Sequence, residues 1–162
     1  MQNTKNPLIF IVEDSVVYKD LIVGHLQSKK FSNIKTYKSG EECLKELPLK
    51  PDLIVLDYSI EGMSGLELMR KVKKDHPEID FIFLSAQNDV EVAVKIMKLG
   101  AADYVVKNEK APARLVEAIE QTMTVTKNIK MQKGFSVGVV GFFIMLFLVI
   151  MSIIMITIIF KL

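Results

Sequence analysis

Four short apolar runs, at residues 8–12, 53–56, 81–84 and 104–106, with a weaker one at 34–37, set the strongest constraint on what this chain can fold into. They are three to five residues long with little polar alternation, as parallel strands buried on both faces require. Between and after them lie longer stretches with helical spacing, at 15–29, 40–47, 65–76, 90–99 and 112–126. Val92, Ile96 and Leu99 form one apolar stripe, and Leu66, Met69 and Val72 another. Strands and helices in alternation predict an α/β domain, a doubly wound parallel sheet of five strands. Right-handed crossovers then direct ligands to the carboxyl ends of the strands, near the reversal in strand order.

Those ends carry chemistry. Glu13 and Asp14 close the first strand, Asp57 the third, Ser85 the fourth and Lys107 the fifth. Three carboxylates gathered on one sheet edge repel one another, raising at least one pKa unless a cation lies among them. Hard oxygen ligands with room for water suit Mg²⁺. With a hydroxyl and a lysine beside it, the set suits phosphoryl chemistry: one carboxylate attacks, while a metal and the cationic side chain meet the phosphoryl oxygens. Taken singly, an acidic pair after a strand is often only a helix cap, and a lone lysine is usually a surface group. The information lies in all of them falling at strand ends in order.

Residues 8–126 resemble the receiver domain of bacterial two-component response regulators. The resemblance rests on the acidic pair in LIFIVEDS, on PDLIVLDYSIEGMSGLEL around Asp57, on FIFLSA ending at Ser85 and Ala86, and on LGAADYVVK ending at Lys107. It implies the five-stranded flavodoxin-like fold of that family and a partner histidine kinase or phosphotransfer protein. It further implies that Asp57 accepts the phosphoryl group, and that Glu13, Asp14, Asp57 and the backbone carbonyl of Ser59 hold Mg²⁺. Ser85 and Lys107 would contact phosphoryl oxygens, and Tyr104 would be the aromatic whose rotamer follows Ser85. A docking face for a downstream protein, on the fourth helix, fifth strand and fifth helix, would then change shape. On this reading the chain is a phosphoacceptor switch with weak self-catalysed phosphotransfer, not a metabolic enzyme. Two other readings are a receiver-fold scaffold that recruits partners without using its phosphate site, and an aspartate-nucleophile phosphatase. The second lacks the D-x-D that such phosphatases carry after their first strand.

The chain departs from the family pattern at two places. Asn108 follows Lys107 where proline is usual, so that loop is expected to differ, with a trans peptide. Ile60-Glu61-Gly62 stands where Met-Pro-Gly is common, which is expected to loosen the loop after Asp57, with Gly62 and Gly65 serving its turn. Ser59 and Gln87, two residues past Asp57 and Ser85, are not acidic, so neither is expected to act as a base toward water. His25 and His76 carry no relay expectation, and Cys43 reads as a small helix-face hydrophobe.

Residues 135–160 contain no charged residue, and about 39 Å of helix at roughly 1.5 Å per residue would exceed a hydrocarbon core of about 30 Å. This predicts a transmembrane helix over 135–160, preceded by a receiver domain at 1–126 and a basic juxtamembrane segment at 127–134, with Gly134 as the breaking point. Lys127, Lys130 and Lys133 precede the run and Lys161 follows it, which predicts a tail-anchored protein of the cytoplasmic (inner) membrane with its receiver in the cytoplasm. Gly134, Gly138 and Gly141 share one helix face, suggesting a homodimer through it.

Charge and cysteine content narrow the remainder. Residues 1–126 hold 17 Lys and Arg against 19 acids, a mildly acidic balance that does not suit nucleic acid. One cysteine excludes an internal disulfide, and the polar start MQNTKNP does not read as a secretory signal.

Overall fold

In the computed structural model, the strands β1 (Ile9–Val12), β2 (Ile34–Tyr37), β3 (Leu53–Asp57), β4 (Asp80–Ser85) and β5 (Asp103–Val106) form one parallel sheet in the order β2-β1-β3-β4-β5. The structure is described over residues 6–86 and 89–159, leaving aside the side chains of 129–140, 154 and 157–159. All residues of β1 and β3 are buried, as the continuous apolar runs require of strands covered on both faces. The order reverses between β1 and β3, so Glu13, Asp14 and Asp57 sit beside the switch point.

The helices are α1 (Val16–Ser28), α2 (Gly40–Lys45), α3 (Gly65–Asp75), α4 (Val90–Lys98) and α5 (Ala111–Ile159), with a 3₁₀ turn at Leu47–Leu49. The first four each begin on a short polar residue whose side chain accepts from a first-turn N–H: Ser15, Ser39, Ser64 and Asp89. On one face of the sheet, Ile22 and Leu26 of α1 and Leu115 and Ile119 of α5 pack with Ile9, Ile11 and Val55. On the other, Leu68, Met69 and Val72 of α3 and Ile96 of α4 pack with Phe10, Leu56 and Phe83. Alternate strand residues thus face opposite layers, the period-two rule applied to a sheet buried twice. Of the stripe expected on α4, Ile96 is buried, Val92 is partly buried, and Leu99 at the C-cap is 37% exposed.

The chain divides into two units, Met1–Met123 and Thr124–Leu162. The second corrects the reading of residues 135–160. Among the described residues no helix is long and apolar enough to cross a membrane. The transmembrane, tail-anchored and inner-membrane expectations fall with it, as does a cytoplasmic placement inferred from the lysines around the run. Gly134 does not break the helix, because α5 is continuous from Ala111 to Ile159. One glycine costs a helix only about 1 kcal/mol relative to alanine. The homodimer expected through Gly134, Gly138 and Gly141 is unsupported, and the surroundings of Gly134 and Gly138 are outside the described residues.

Candidate functional site

Two carboxylates at the strand ends are held by the same device. Glu13 Oε1 accepts the N–H of Ser15 at 3.2 Å, and Asp57 Oδ1 accepts the N–H of Ser59 at 3.1 Å. Their other oxygens, Glu13 Oε2 and Asp57 Oδ2, both accept from Lys107 Nζ at 2.7 Å. Each carboxylate is therefore fixed by a backbone N–H two residues on and by one shared ammonium. Glu13 is 1% exposed and Asp57 5% exposed, so these are charge-assisted bonds with little solvent screening. Asp14 stands beside them and is exposed. Glu13, Asp14 and Asp57 each offer an oxygen within 4.8 Å of the others.

The electrostatics follow from that crowding. Burial pushes the Glu13 carboxyl above its usual value, and the Asp57 charge adds to the rise. The hydrogen bonds from Lys107 and Ser15 offset this only in part. Repulsion between acids was expected to raise a pKa, yet lost hydration is the larger cause. Burial alone would lower the Lys107 pKa, but its bonds to Asp57 and Glu13 outweigh that and raise it, keeping the ammonium charged. Three hard oxygen donors, one of them open to water, are the ligand class that fits Mg²⁺.

Lys107 reaches the acids despite Asn108. Its backbone N–H donates to the Ser85 carbonyl at 2.7 Å, tying the end of β5 to the end of β4. Asn108 closes its own turn, with its side-chain oxygen accepting the Lys110 N–H at 2.9 Å and its carbonyl the Ala111 N–H at 3.0 Å. Among the described residues there is no cis peptide bond. Ser85 is fully buried, and Tyr58 N–H donates to the carbonyl of its neighbour Leu84 at 2.8 Å. Tyr104, opposite Phe83 in the sheet, is partly buried and lines a groove with Val90, Ala93, Val94 and Met97 of α4. Gln87 lies outside the described residues.

The loop after Asp57 is tied down without proline. Ile60 is buried, Gly62 takes a positive φ of 80°, and Met63 N–H donates to Glu41 Oε1 of α2 at 3.1 Å. Gly65 is needed for a different reason than turning. A Cβ there would stand 2.8 Å from the Asp57 carbonyl oxygen and 3.1 Å from Phe83, so α3 starts in contact with the end of β3. Cys43 is fully buried, and burial pushes its thiol up to about 12.

Sequence reasoning missed one member of the cluster. Lys107 Nζ lies 4.5 Å from the centroid of the Tyr18 ring on α1. A signal existed, an aromatic one turn past the acidic pair, but only the fold brings it to the end of β5.

Comparison with known proteins agrees with this geometry. Residues 9–120 match the family model described as the response regulator receiver domain. The nitrogen assimilation regulatory protein NtrX of Azorhizobium caulinodans is 33% identical over 118 residues, covering 71% of this chain and 26% of that protein. The chain thus spans about a quarter of the length of the curated relatives it matches first. The crystal structure of NtrX from Brucella abortus superposes with a TM-score of 0.73 at 28% identity, over 80% of this chain and 29% of that one. A structure titled BeF3-activated DrrB receiver domain gives a TM-score of 0.66 at 27% identity, over 74% of this chain and 98% of that one. This chain belongs to the response regulator receiver domain family of two-component systems.

Proposed function

We propose that Asp57 accepts a phosphoryl group from a histidine kinase or phosphotransfer protein, and that the chain acts as a switch for a downstream protein and not as a metabolic enzyme. One observation carries the reading: Lys107 Nζ sits 2.7 Å from both Glu13 Oε2 and Asp57 Oδ2, at the switch point of the sheet. An Asp57 oxygen attacks phosphorus as the bond from phosphorus to the donor's imidazole nitrogen breaks, and the electron pair of that bond leaves with the imidazole. Lys107 meets the charge on the phosphoryl oxygens, with Ser85 at the adjoining strand end as the second contact. Glu13, Asp14, Asp57 and the Ser59 carbonyl are the groups that would hold Mg²⁺. When bound it neutralises charge on the phosphoryl oxygens.

Tyr104 links the site to the surface. Its strand joins Lys107 to the groove beside α4, where Val90, Val94 and Met97 are exposed. Movement of Ser85 toward a phosphoryl oxygen would change the room available to the ring, and with it the shape of that groove.

The relative titled as BeF3-activated suggests the test. Amide spectra of the full chain should shift at Asp57, Ser85, Tyr104 and Lys107 on adding beryllium fluoride with Mg²⁺, and Asp57→Asn should abolish the change. Spectra that do not respond, or respond equally in Asp57→Asn, would count against Asp57 as the acceptor.

A further inference from the structure

The geometry points to Tyr18 as a positioning residue for phosphoryl transfer, its ring face holding the Lys107 ammonium where the incoming phosphoryl group needs it. The inference rests on the phosphoacceptor reading above.

An ammonium has three N–H donors and no acceptor. On Lys107, Glu13 Oε2 and Asp57 Oδ2 take two of them, both at 2.7 Å. The Tyr18 ring, 4.5 Å from Nζ, is a third partner, within cation–π range and in a site largely closed to water. These contacts differ in what happens during the reaction. Asp57 would change from carboxylate to acyl phosphate, and Glu13 is among the groups that would hold Mg²⁺, so both carboxylate contacts would weaken as the reaction proceeds. The ring is the one partner whose chemistry does not change. It therefore fixes the ammonium while its other bonds are exchanged, which is preorganisation of a cation aimed at developing charge.

The hydroxyl of Tyr18 is not what the site uses. It is buried, and no hydrogen-bond partner reaches it among the described residues. Burial pushes the phenol above its usual value, so the ring presents a neutral face. Tyr18 packs at the edge of the α1 layer of the core, which keeps the ring in place. An aromatic ring without the hydroxyl should serve equally well, and an aliphatic side chain should not.

The test uses the full chain and its Tyr18→Phe and Tyr18→Leu variants in two arms. In the first, without phosphodonor, the Lys107 ε-CH₂ protons are read by NMR. A ring-current shift to high field is expected in wild type and Tyr18→Phe and should be lost in Tyr18→Leu. A random-coil shift in the wild type overturns the inference by itself, whether or not the leucine variant folds. In the second arm, acetyl phosphate and Mg²⁺ drive phosphorylation. The maximal rate should fall about three- to tenfold in Tyr18→Leu, with half-saturating acetyl phosphate and Mg²⁺ unchanged, while Tyr18→Phe stays within about twofold of wild type. Equal rates in all three chains, or equal loss in both variants, would overturn it. A wild type that forms no Asp57 adduct with either acetyl phosphate or a phosphorylated histidine donor would instead remove the phosphoacceptor reading, and the NMR arm would still decide whether the ring holds Lys107.

Discussion

Gly65 begins its helix against the carbonyl of Asp57: a Cβ on Gly65 would stand 2.8 Å from that oxygen. The contact joins the end of β3 to the start of α3, so the residue that supplies the carboxylate also sets where the next helix lies. Backbone cannot rotate away as a flexible side chain can. Alanine at 65 would gain about 1 kcal/mol of helix propensity but force the two elements apart, at a cost of about 1–3 kcal/mol. Gly65→Ala should lower the melting temperature, whereas Gly24→Ala, where nothing lies within 4 Å, should raise it. Thermal melts of the two variants side by side check the assignment. A Gly65→Ala chain as stable as Gly24→Ala would contradict it.

Removing the shared ammonium should show that it stands in for a cation between two buried carboxylates. Lys107→Met leaves Glu13 and Asp57 facing each other with only one backbone donor apiece. Without divalent metal the variant should lose about 1–3 kcal/mol of stability. Mg²⁺ should then raise its melting temperature more than it raises that of wild type. Phosphorylation by a small donor should fall on the order of 10²-fold, as for other sites that lose one charge-stabilising donor. Differential scanning calorimetry with and without Mg²⁺ separates the two effects.

The loop that follows Asp57 ends in a capping box, and its contribution has a definite pH sign. Bonds from the Ser64 hydroxyl and backbone N–H hold the Glu67 carboxyl below its usual value of 4.5. A carboxyl whose folded pKa is depressed adds stability above the unfolded value and loses it as pH falls through the folded one. The melting-temperature difference between wild type and Glu67→Gln should therefore be full near neutrality and shrink as pH drops below 4.5. Ser64→Ala should lower the melting temperature by about 3–5 °C at neutral pH. A gap that widens in acid would contradict this sign.

The sheet was legible because its central strands β1, β3 and β4 are buried on both faces, so that runs such as 53–56 are continuous and end abruptly at Asp57. The same abruptness marked Glu13, Ser85 and Lys107, and the parallel order of the strands carried them to one edge. Relations across the sheet were not legible. Tyr18 on α1 meets Lys107 after β5 only through folding, and Gly65 reads in one dimension as a turn glycine although its role is a close approach. The apolar run at 135–160 misled for a related reason. It was read from hydropathy alone, and among the described residues no helix is long and apolar enough to cross a membrane. The loop after Asp57 was expected to loosen without proline, yet buried Ile60 and the Met63 bond to Glu41 hold it.

The central claim is that Asp57 takes up a phosphoryl group in a site completed by Glu13, Asp14 and Lys107. Intact mass spectrometry of the full chain after incubation with acetyl phosphate and Mg²⁺, beside Asp57→Asn, tests it most directly. The account expects one labile phosphoryl adduct that requires Mg²⁺ and is absent from Asp57→Asn. An adduct of the same size on Asp57→Asn, or a folded wild-type chain that binds Mg²⁺ and stays unmodified by both acetyl phosphate and a phosphorylated histidine donor, would contradict it.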